Sequence, residues 1–346
     1  MKSIMRFLQC CVYSLNTMIN FRDHSKNEKA RKYRSILLIP LGLVRYLMLS
    51  LYEHVFFIKK SENIAVVCIV KNEGRYIREF IEYYIGLGCD LIIYDNGSTD
   101  DTASIIKEYS EHTHYIYYPG VKRQIDAYNQ AIKKYRVRYK YLIVVDADEF
   151  LVCDELLNGK SLLTIINEFF DKSKKIACLG INWFIFGSSG YDDFPGGGVL
   201  EKFTRCSEDA FDRNRLIKVV VKPERIVGFV DPHLPWVLLG YQAVDLDYHP
   251  ISYPQIDLPV RRDMRIYHYF CKNKKWFIEK VDRGMADNLR KMIIDYFEYC
   301  DRNELENKKA AEIWKNIIKP EKKYSLQGTT QSRYLTGGVP PVRFSM

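Results

Sequence analysis

Two aspartates one residue apart, Asp146 and Asp148, follow directly on the apolar run Tyr141–Val145 (YLIVV). Carboxylates this close repel each other. A shared divalent cation with hard-oxygen preference relieves that repulsion and leaves coordination positions for water or the oxygens of a diphosphate. A cation bridging both phosphates of a nucleoside diphosphate would stabilise it as a leaving group. The bland alternative is a solvated acidic turn, Asp146 to Glu149, that caps the next element. Two further polar clusters also follow apolar runs: Lys71-Asn72-Glu73 after Ile64–Val70 (IAVVCIV), and Asp95-Asn96-Gly97-Ser98 after Leu91–Tyr94. Asp95 and Asn96 have the chemistry to accept and donate hydrogen bonds to a base or ribose, and Asn72 and Glu73 to wall the same pocket. Arg123 and Gln124 open a helical pattern just past Pro119-Gly120, where an arginine and a helix N-terminus suit a phosphate. The Ser98–Asp101 stretch has at the same time an ordinary role as turn and helix cap.

The elements that must position these groups alternate. Apolar, β-branched runs at 64–70, 91–94, 115–118 and 141–145 read as strands buried on both faces. Between them, Arg75–Leu87, Thr102–Tyr109 and Val121–Tyr135 carry helical spacing. Strand–helix alternation of this length predicts βαβ units and a parallel sheet, whose ligands bind beyond the carboxyl ends of the strands. All three polar clusters fall there. After Phe150 the pattern changes: a helix near Ser161–Phe170, then strand-like segments at Ile176–Phe186, Val199–Thr204, Leu216–Val221 and Tyr241–Tyr248. Within them lies a flexible, glycine-rich loop, Gly187–Gly198. Arg265–Phe270 reads as a last strand, followed by helices near Lys274–Arg283, Met285–Tyr299 and Leu305–Ile318 and a mobile tail over 321–346. The expected fold class is therefore α/β with flanking helices, a helical N-terminal arm and a helical C-terminal region; the resemblance given below implies that its sheet is Rossmann-like and mixed. The divisions are 1–63 (arm), 64–285 (a nucleotide-binding half to 150 and an acceptor half from 151), and 286–346.

Composition narrows the function classes. The 346 residues are 47% apolar and 27% charged, as in a folded domain and unlike a disordered or fibrous chain. Nine cysteines, odd in number and without a C-x-x-C pair, argue against a disulfide framework or thiolate zinc site and for a reducing compartment. The net charge is +9, of which +7 lies within residues 1–63. A nucleic-acid binder would carry that excess on its folded face; an arm so charged points to an anionic membrane surface. The apolar stretch Ser35–Tyr52, broken by Pro40, Gly42 and Arg45, predicts an interfacial helix, or one packed on the domain, rather than a membrane span. No secretory signal pattern is present in residues 1–20. The expected location is cytoplasmic, peripheral on the inner face of the cell membrane.

Five motifs occur in order: I-V-K-N-E-x-x-Y-I-x-E (Ile69–Glu79), D-N-G-S-x-D (Asp95–Asp100), Q-x-x-A-Y-N (Gln124–Asn129), D-A-D-E-F (Asp146–Phe150) and W-F-I-F-G-S-S-G (Trp183–Gly190). Together they resemble the nucleotide-sugar glycosyltransferases of the GT-A fold, in the branch near families 2 and 92. The later I-x-H-Y (Ile266–Tyr269) and E-K-V-x-R-G (Glu279–Gly284) resemble that branch too. The resemblance covers about residues 64–285.

It implies a UDP-sugar donor, Mn2+ or Mg2+ on the D-x-D, and transfer to a hydroxyl of a glycan or glycolipid acceptor, in cell-surface polysaccharide synthesis. Asp146 would face ribose or metal, Asp148 metal and diphosphate, and Glu73 and Asp95 the uridine. His268 would be a further metal or diphosphate ligand. Relatives often follow F-G-S-S-G with histidine, whereas this chain has Tyr191, Asp192 and Asp193. These two aspartates and Glu201 are the sequence-level candidates for the base that takes the acceptor's proton. Two other readings stay open at this point. One is a sugar nucleotidyltransferase, against which the single glycine after the first strand counts. The other is a non-catalytic glycan-binding relative.

Overall fold

The computed structural model describes residues 28–55, 62–257, 263–283 and 295–318. The sequence tail over 321–346, most of the helix expected at 285–299 and the first part of the arm lie outside these residues.

The first half builds as the alternation predicts. Strands β1 (Ile64–Val70), β2 (Cys89–Asp95), β3 (Thr113–Tyr117) and β4 (Tyr141–Val144) are separated by helices α2 (Ile77–Gly86), α3 (Thr102–Glu108) and α4 (Gln124–Tyr135), while α1 (Glu28–Val55) precedes them. β1 pairs in parallel with both β2 and β4, and β2 in parallel with β3. β1 is buried at every position, as a central parallel strand covered by helices on both faces must be.

The chain then crosses the sheet. β5 (Glu149–Cys153) begins only a few residues after β4 but lies at the opposite edge. The strand order is β3-β2-β1-β4-β8-β6-β12-β5, with β11 (Gln242–Val244) added beside β6. Here β6 is Ile176–Ile185, β8 Ile217–Val221 and β12 Met264–His268. β8 runs antiparallel between β4 and β6, and β12 lies parallel to β6 and antiparallel to β5. The Asp146–Asp148 segment is therefore the tight link between β4 and β5 at the carboxyl end of β4, closed by Glu149 N donating to the Asp146 carbonyl at 3.0 Å. Tyr84 and Tyr83 of α2 fix its far side by donating their hydroxyls to the Glu149 and Leu151 carbonyls at 3.0 and 2.8 Å.

Three sequence expectations need correction. Val199–Thr204 is not a strand: Val199–Lys202 form a short helix, α7, after the helices α5 (Asp154–Leu157) and α6 (Leu162–Asp171). Its orphan N–H groups are satisfied from outside, since the buried Glu79 carboxylate of α2 accepts from Val199 N at 2.5 Å and Leu200 N at 3.2 Å. Gly198 is required there, because a Cβ would sit 2.2 Å from the Glu79 carboxylate. Tyr241–Tyr248 shortens to β11 because the Asp245 carboxylate accepts from Asp247 N and His249 N, and Tyr248 takes a left-handed conformation (φ 67°). The last helix starts at Lys309, not Leu305: Leu305–Glu306 pair with Arg205–Cys206 as a two-residue ladder.

α1 runs unbroken through Pro40 and docks on the hairpin of β9 (Ile226–Phe229) and β10 (Pro235–Val237), where Tyr46, Val227 and Leu238 form a small separate core. Helices α8 (Lys274–Arg283), α9 (Asp295–Cys300) and α10 (Lys309–Ile318) follow. α10 buries Ala310, Ile313, Trp314 and Ile317 in the main core beside α2. The seven described cysteines are free and buried, as small core residues.

Candidate active site

Strand register assembles the site. Val144 faces Val219 across β4–β8, so Lys218 is placed beside the start of the acidic link; His268 pairs with Glu149 on one side and Ile185 on the other. Strands β8, β12 and β5 thereby deliver Lys218, His268 and Glu149 around Asp146 and Asp148.

Asp146 is held by three donors. Fully buried Lys218 reaches its Oδ2 at 2.8 Å, while Gln124 Nε2 and the Tyr128 hydroxyl donate to Oδ1 at 2.8 and 3.0 Å. Burial works against its ionisation, but the Lys218 ammonium wins and keeps the carboxyl below its usual range. The side chain is still 29% exposed, and a carboxylate accepts about four hydrogen bonds, so one edge stays open. Lys218 also stands 3.6 Å from Glu149 Oε2, which in turn accepts from Asp146 N at 2.9 Å. Burial lowers the lysine, and the Asp146 and Glu149 carboxyls outweigh it, holding the ammonium firmly charged. Glu149 goes the other way: complete burial pushes it well above the carboxylate range despite Lys218.

Asp148 meets different partners. Lys280 of α8 donates to its Oδ2 at 2.8 Å, and His268 Nε2 lies 3.5 Å from its Oδ1. Burial opposes its charge, yet Lys280 and His268 hold it well below the usual range, so it is an anion. Burial lowers His268, keeping the imidazole neutral. Its ring packs edge-on to Trp183, centroids 4.3 Å apart. The buried His268 Nδ1 and Glu149 Oε1 both lack a hydrogen-bond partner and face each other at 3.8 Å. A neutral ring has one N–H. Its Nε2 faces the Asp148 anion at 3.5 Å, and with the N–H on Nδ1 the Nε2 lone pair and the Asp148 carboxylate would together suit a cation between them. Among the described residues no three His, Cys, Asp or Glu side chains converge as a complete metal site. The donor set thus fits a cation that takes two ligands from the protein and the rest from substrate and water, and Asp146 is committed to Lys218.

The loops after β1 and β2 are stitched together. Asn72, in a left-handed conformation (φ 53°), donates its N–H to Ser98 Oγ at 2.9 Å and accepts from Thr99 N at 2.8 Å; Glu73 N donates to Thr102 Oγ1 at 2.8 Å. Asp95 is fully buried, one oxygen accepting Ser98 N and the other the Tyr115 hydroxyl, each at 2.8 Å. Asn96 is buried beside it, its N–H bonded to the Val70 carbonyl. Glu73 Oε2 lies 3.7 Å from the ammonium of buried Lys272, which stands 3.9 Å from the centroid of Trp276. Arg123 precedes α4, bonded to the Pro119 carbonyl and stacked over Tyr118, while its neighbour Gln124 reaches into the cluster.

The structure does not bring the three candidate bases into this cluster. Asp193 is 61% exposed and paired with Lys275, and Asp192 accepts Lys275 N through its carbonyl. Both therefore sit at the first turn of α8, about 7 Å of helix rise from Lys280. Glu201 is exposed on α7. The histidine that does border the cluster is His233, on the β9–β10 connection. Its ring packs edge-on to Trp183, the same indole that packs on His268, with centroids 5.1 Å apart, and its Nδ1 donates to the Ile217 carbonyl at 2.9 Å. Burial and the Lys218 charge lower it to about 4, so it is neutral, with its N–H on Nδ1 and its lone pair on Nε2.

Lys218, Glu149, His233, Lys272 and Lys280 escape the sequence reading. Glu149 and Lys280 stood there only within the D-A-D-E-F and E-K-V-x-R-G motifs, without a role, and Lys218 carried a signal of its own: a lysine inside the apolar run Ile217–Val221 is a buried charge that needs a carboxylate.

The sequence profile described as Glycosyltransferase family 92 matches residues 65–246, from β1 to just past β11 and short of β12. A glycosyltransferase family 92 protein of Ricinus communis is 27% identical over 172 residues, covering 49% of this chain and 30% of that protein. One of Oryza sativa subsp. japonica is 25% identical over 173 residues, covering 49% and 28%. The chain thus spans about 30% of the length of the curated relatives it matches. Among solved structures, TarS 1–349 of S. aureus with UDP-GlcNAc is similar at 15% identity and TM-score 0.31, over 46% of this chain and 45% of that one. Glucosyl-3-phosphoglycerate synthase of Mycobacterium tuberculosis is similar at 14% identity and TM-score 0.29, over 52% and 62%. With the family profile covering more than half of its length, the chain belongs to glycosyltransferase family 92.

Proposed function

We propose that this chain transfers a sugar from a nucleoside-diphosphate donor, a UDP-sugar, to a hydroxyl of a glycan or glycolipid, with Mn2+ or Mg2+ held by Asp148 and His268. The observation that carries the reading is the meeting of Asp148, His268 and Lys280 at the carboxyl end of the parallel strands. Bound there, the cation would neutralise the departing diphosphate. Asp148 is already ionised and His268 already neutral, the forms a ligand needs. Lys280 and Lys272 bring two ammonium groups to the Trp276 ring beside Asp148, 4.7 and 3.9 Å from its centroid, a positive field complementary to phosphate oxygens. The open edge of Asp146 suits a ribose hydroxyl. His233, neutral and tautomer-fixed, is the group we assign to the acceptor's proton, in place of Asp192, Asp193 or Glu201.

Donor hydrolysis across a nucleotide-sugar panel, with Mn2+ and with chelator, tests the reading. We expect hydrolysis of one donor class, lost with chelator, and His233→Gln to slow transfer to acceptor by about 100-fold while donor binding stays. No donor bound or hydrolysed in either condition would overturn it.

A further inference from the structure

The two faces of α1 are both apolar, and only one is used. Tyr46 and Ser50 point inward, 5% and 4% exposed: the Tyr46 hydroxyl donates to the Val237 carbonyl at 3.3 Å, and Leu239 N donates to Ser50 Oγ at 3.2 Å. On the outward face Leu41, Val44, Met48 and Leu51 are 58–63% exposed. Their spacing of three, four and three residues makes one stripe along the helix. Leu239, 55% exposed and tethered to Ser50, extends it onto the β10–β11 turn. A contiguous apolar patch of this kind marks an interaction surface rather than an ordinary solvated face.

Charge selects the occupant. From Lys29 to Tyr52 the helix sequence has no acidic residue and five cations, Lys29, Arg31, Lys32, Arg34 and Arg45. Glu28 and Glu53 stand only at its two ends, so α1 is cationic overall; a cationic helix with an apolar stripe matches an anionic bilayer, the stripe entering the acyl boundary and the charge facing the headgroups. Among the described residues no helix is long and apolar enough to cross a membrane. We infer that α1 lies in the plane of an anionic lipid surface, its inner face docked on the β9–β10 hairpin and its outer stripe immersed. That hairpin also carries His233 to Trp183 at the site. The same element therefore connects the lipid-facing helix with the acceptor side, where a lipid-borne acceptor hydroxyl would arrive.

The test is co-sedimentation of the full chain with vesicles of phosphatidylcholine alone and of phosphatidylcholine with phosphatidylglycerol. The partner is a Val44→Glu/Met48→Glu/Leu51→Glu variant, whose changes fall at exposed positions and whose fold is checked by circular dichroism. We expect the wild type to bind the anionic vesicles only, more weakly as salt rises, and the variant to bind at least about tenfold less. Wild type left in solution with anionic vesicles, or a folded variant binding as well as wild type, overturns the inference. So does a concentration-dependent dimer, abolished in the variant, with no vesicle binding: it assigns the stripe to a second copy of the chain. UDP binding is measured in parallel, so that loss of lipid binding is read separately from the donor chemistry.

Discussion

Asp95 and the Asp146–Asp148 pair look alike in sequence: each is acidic, and each ends a buried parallel strand. Their structural situations are opposite. Asp95 is fully buried and gives both oxygens to neutral donors of its own neighbourhood, Ser98 N and the Tyr115 hydroxyl. Its charge shapes a turn. Asp146 and Asp148 are each paired with a lysine from a distant element, Lys218 of β8 and Lys280 of α8. The difference teaches that a strand-end carboxylate is informative through its partners. Neutral local donors mean it is used in folding the loop, whereas cations imported across the sheet mean a concentrated charge system open to a ligand. Within that system the two aspartates divide again: Asp146 is anchored by three donors, and Asp148 shares its outer side with a neutral imidazole.

The comparison breaks most visibly at Lys218. Replacing it with Met leaves Asp146 without its cation and Glu149 without its attraction in a fully buried place. Urea denaturation should show a loss of about 3–5 kcal/mol, the usual cost of orphaning one partner of a buried pair. A change under about 1 kcal/mol would mean that water, rather than the lysine, compensates Asp146.

Asp95→Ala sharpens the contrast with a smaller effect. If its carboxylate only folds the loop, two N–H and O–H donors lose their acceptor and stability falls by about 1–3 kcal/mol, with the donor's apparent KM little changed. A raised KM at unaltered stability would place Asp95 among the donor contacts that the sequence alone suggests and would erase the distinction drawn above.

The parallel half of the fold was readable from residues 64–145, because runs such as IAVVCIV and helices with regular apolar spacing declare themselves locally. The crossing of the chain after β4 was not. Glu149–Cys153 (EFLVC) becomes an edge strand only through pairing with β12, more than a hundred residues later, and no local pattern announces such a partner. Val199–Lys202 misled for a similar reason: its β-branched and apolar residues suit a strand, but Glu79 caps it as a helix. At the site, Asp146, Asp148 and His268 were legible from motif and position. Lys280 stood only within the E-K-V-x-R-G resemblance, without a role, and His233 was not legible at all, since a histidine in a loop is ordinary until packing brings it to the cluster.

The central claim is that the Asp148 end, and not the Asp95 end, holds the cation through which the donor diphosphate binds. Calorimetric titration of UDP into the wild type, Asp148→Asn and Asp95→Asn, each with and without Mn2+, tests it directly. Mn2+ should tighten UDP binding by about tenfold or more, or at least 1.4 kcal/mol, in the wild type and in Asp95→Asn. In Asp148→Asn, a nearly isosteric change that removes the anionic ligand, the Mn2+ effect should vanish. An undiminished Mn2+ effect in Asp148→Asn, or its loss in Asp95→Asn alone, would contradict the account.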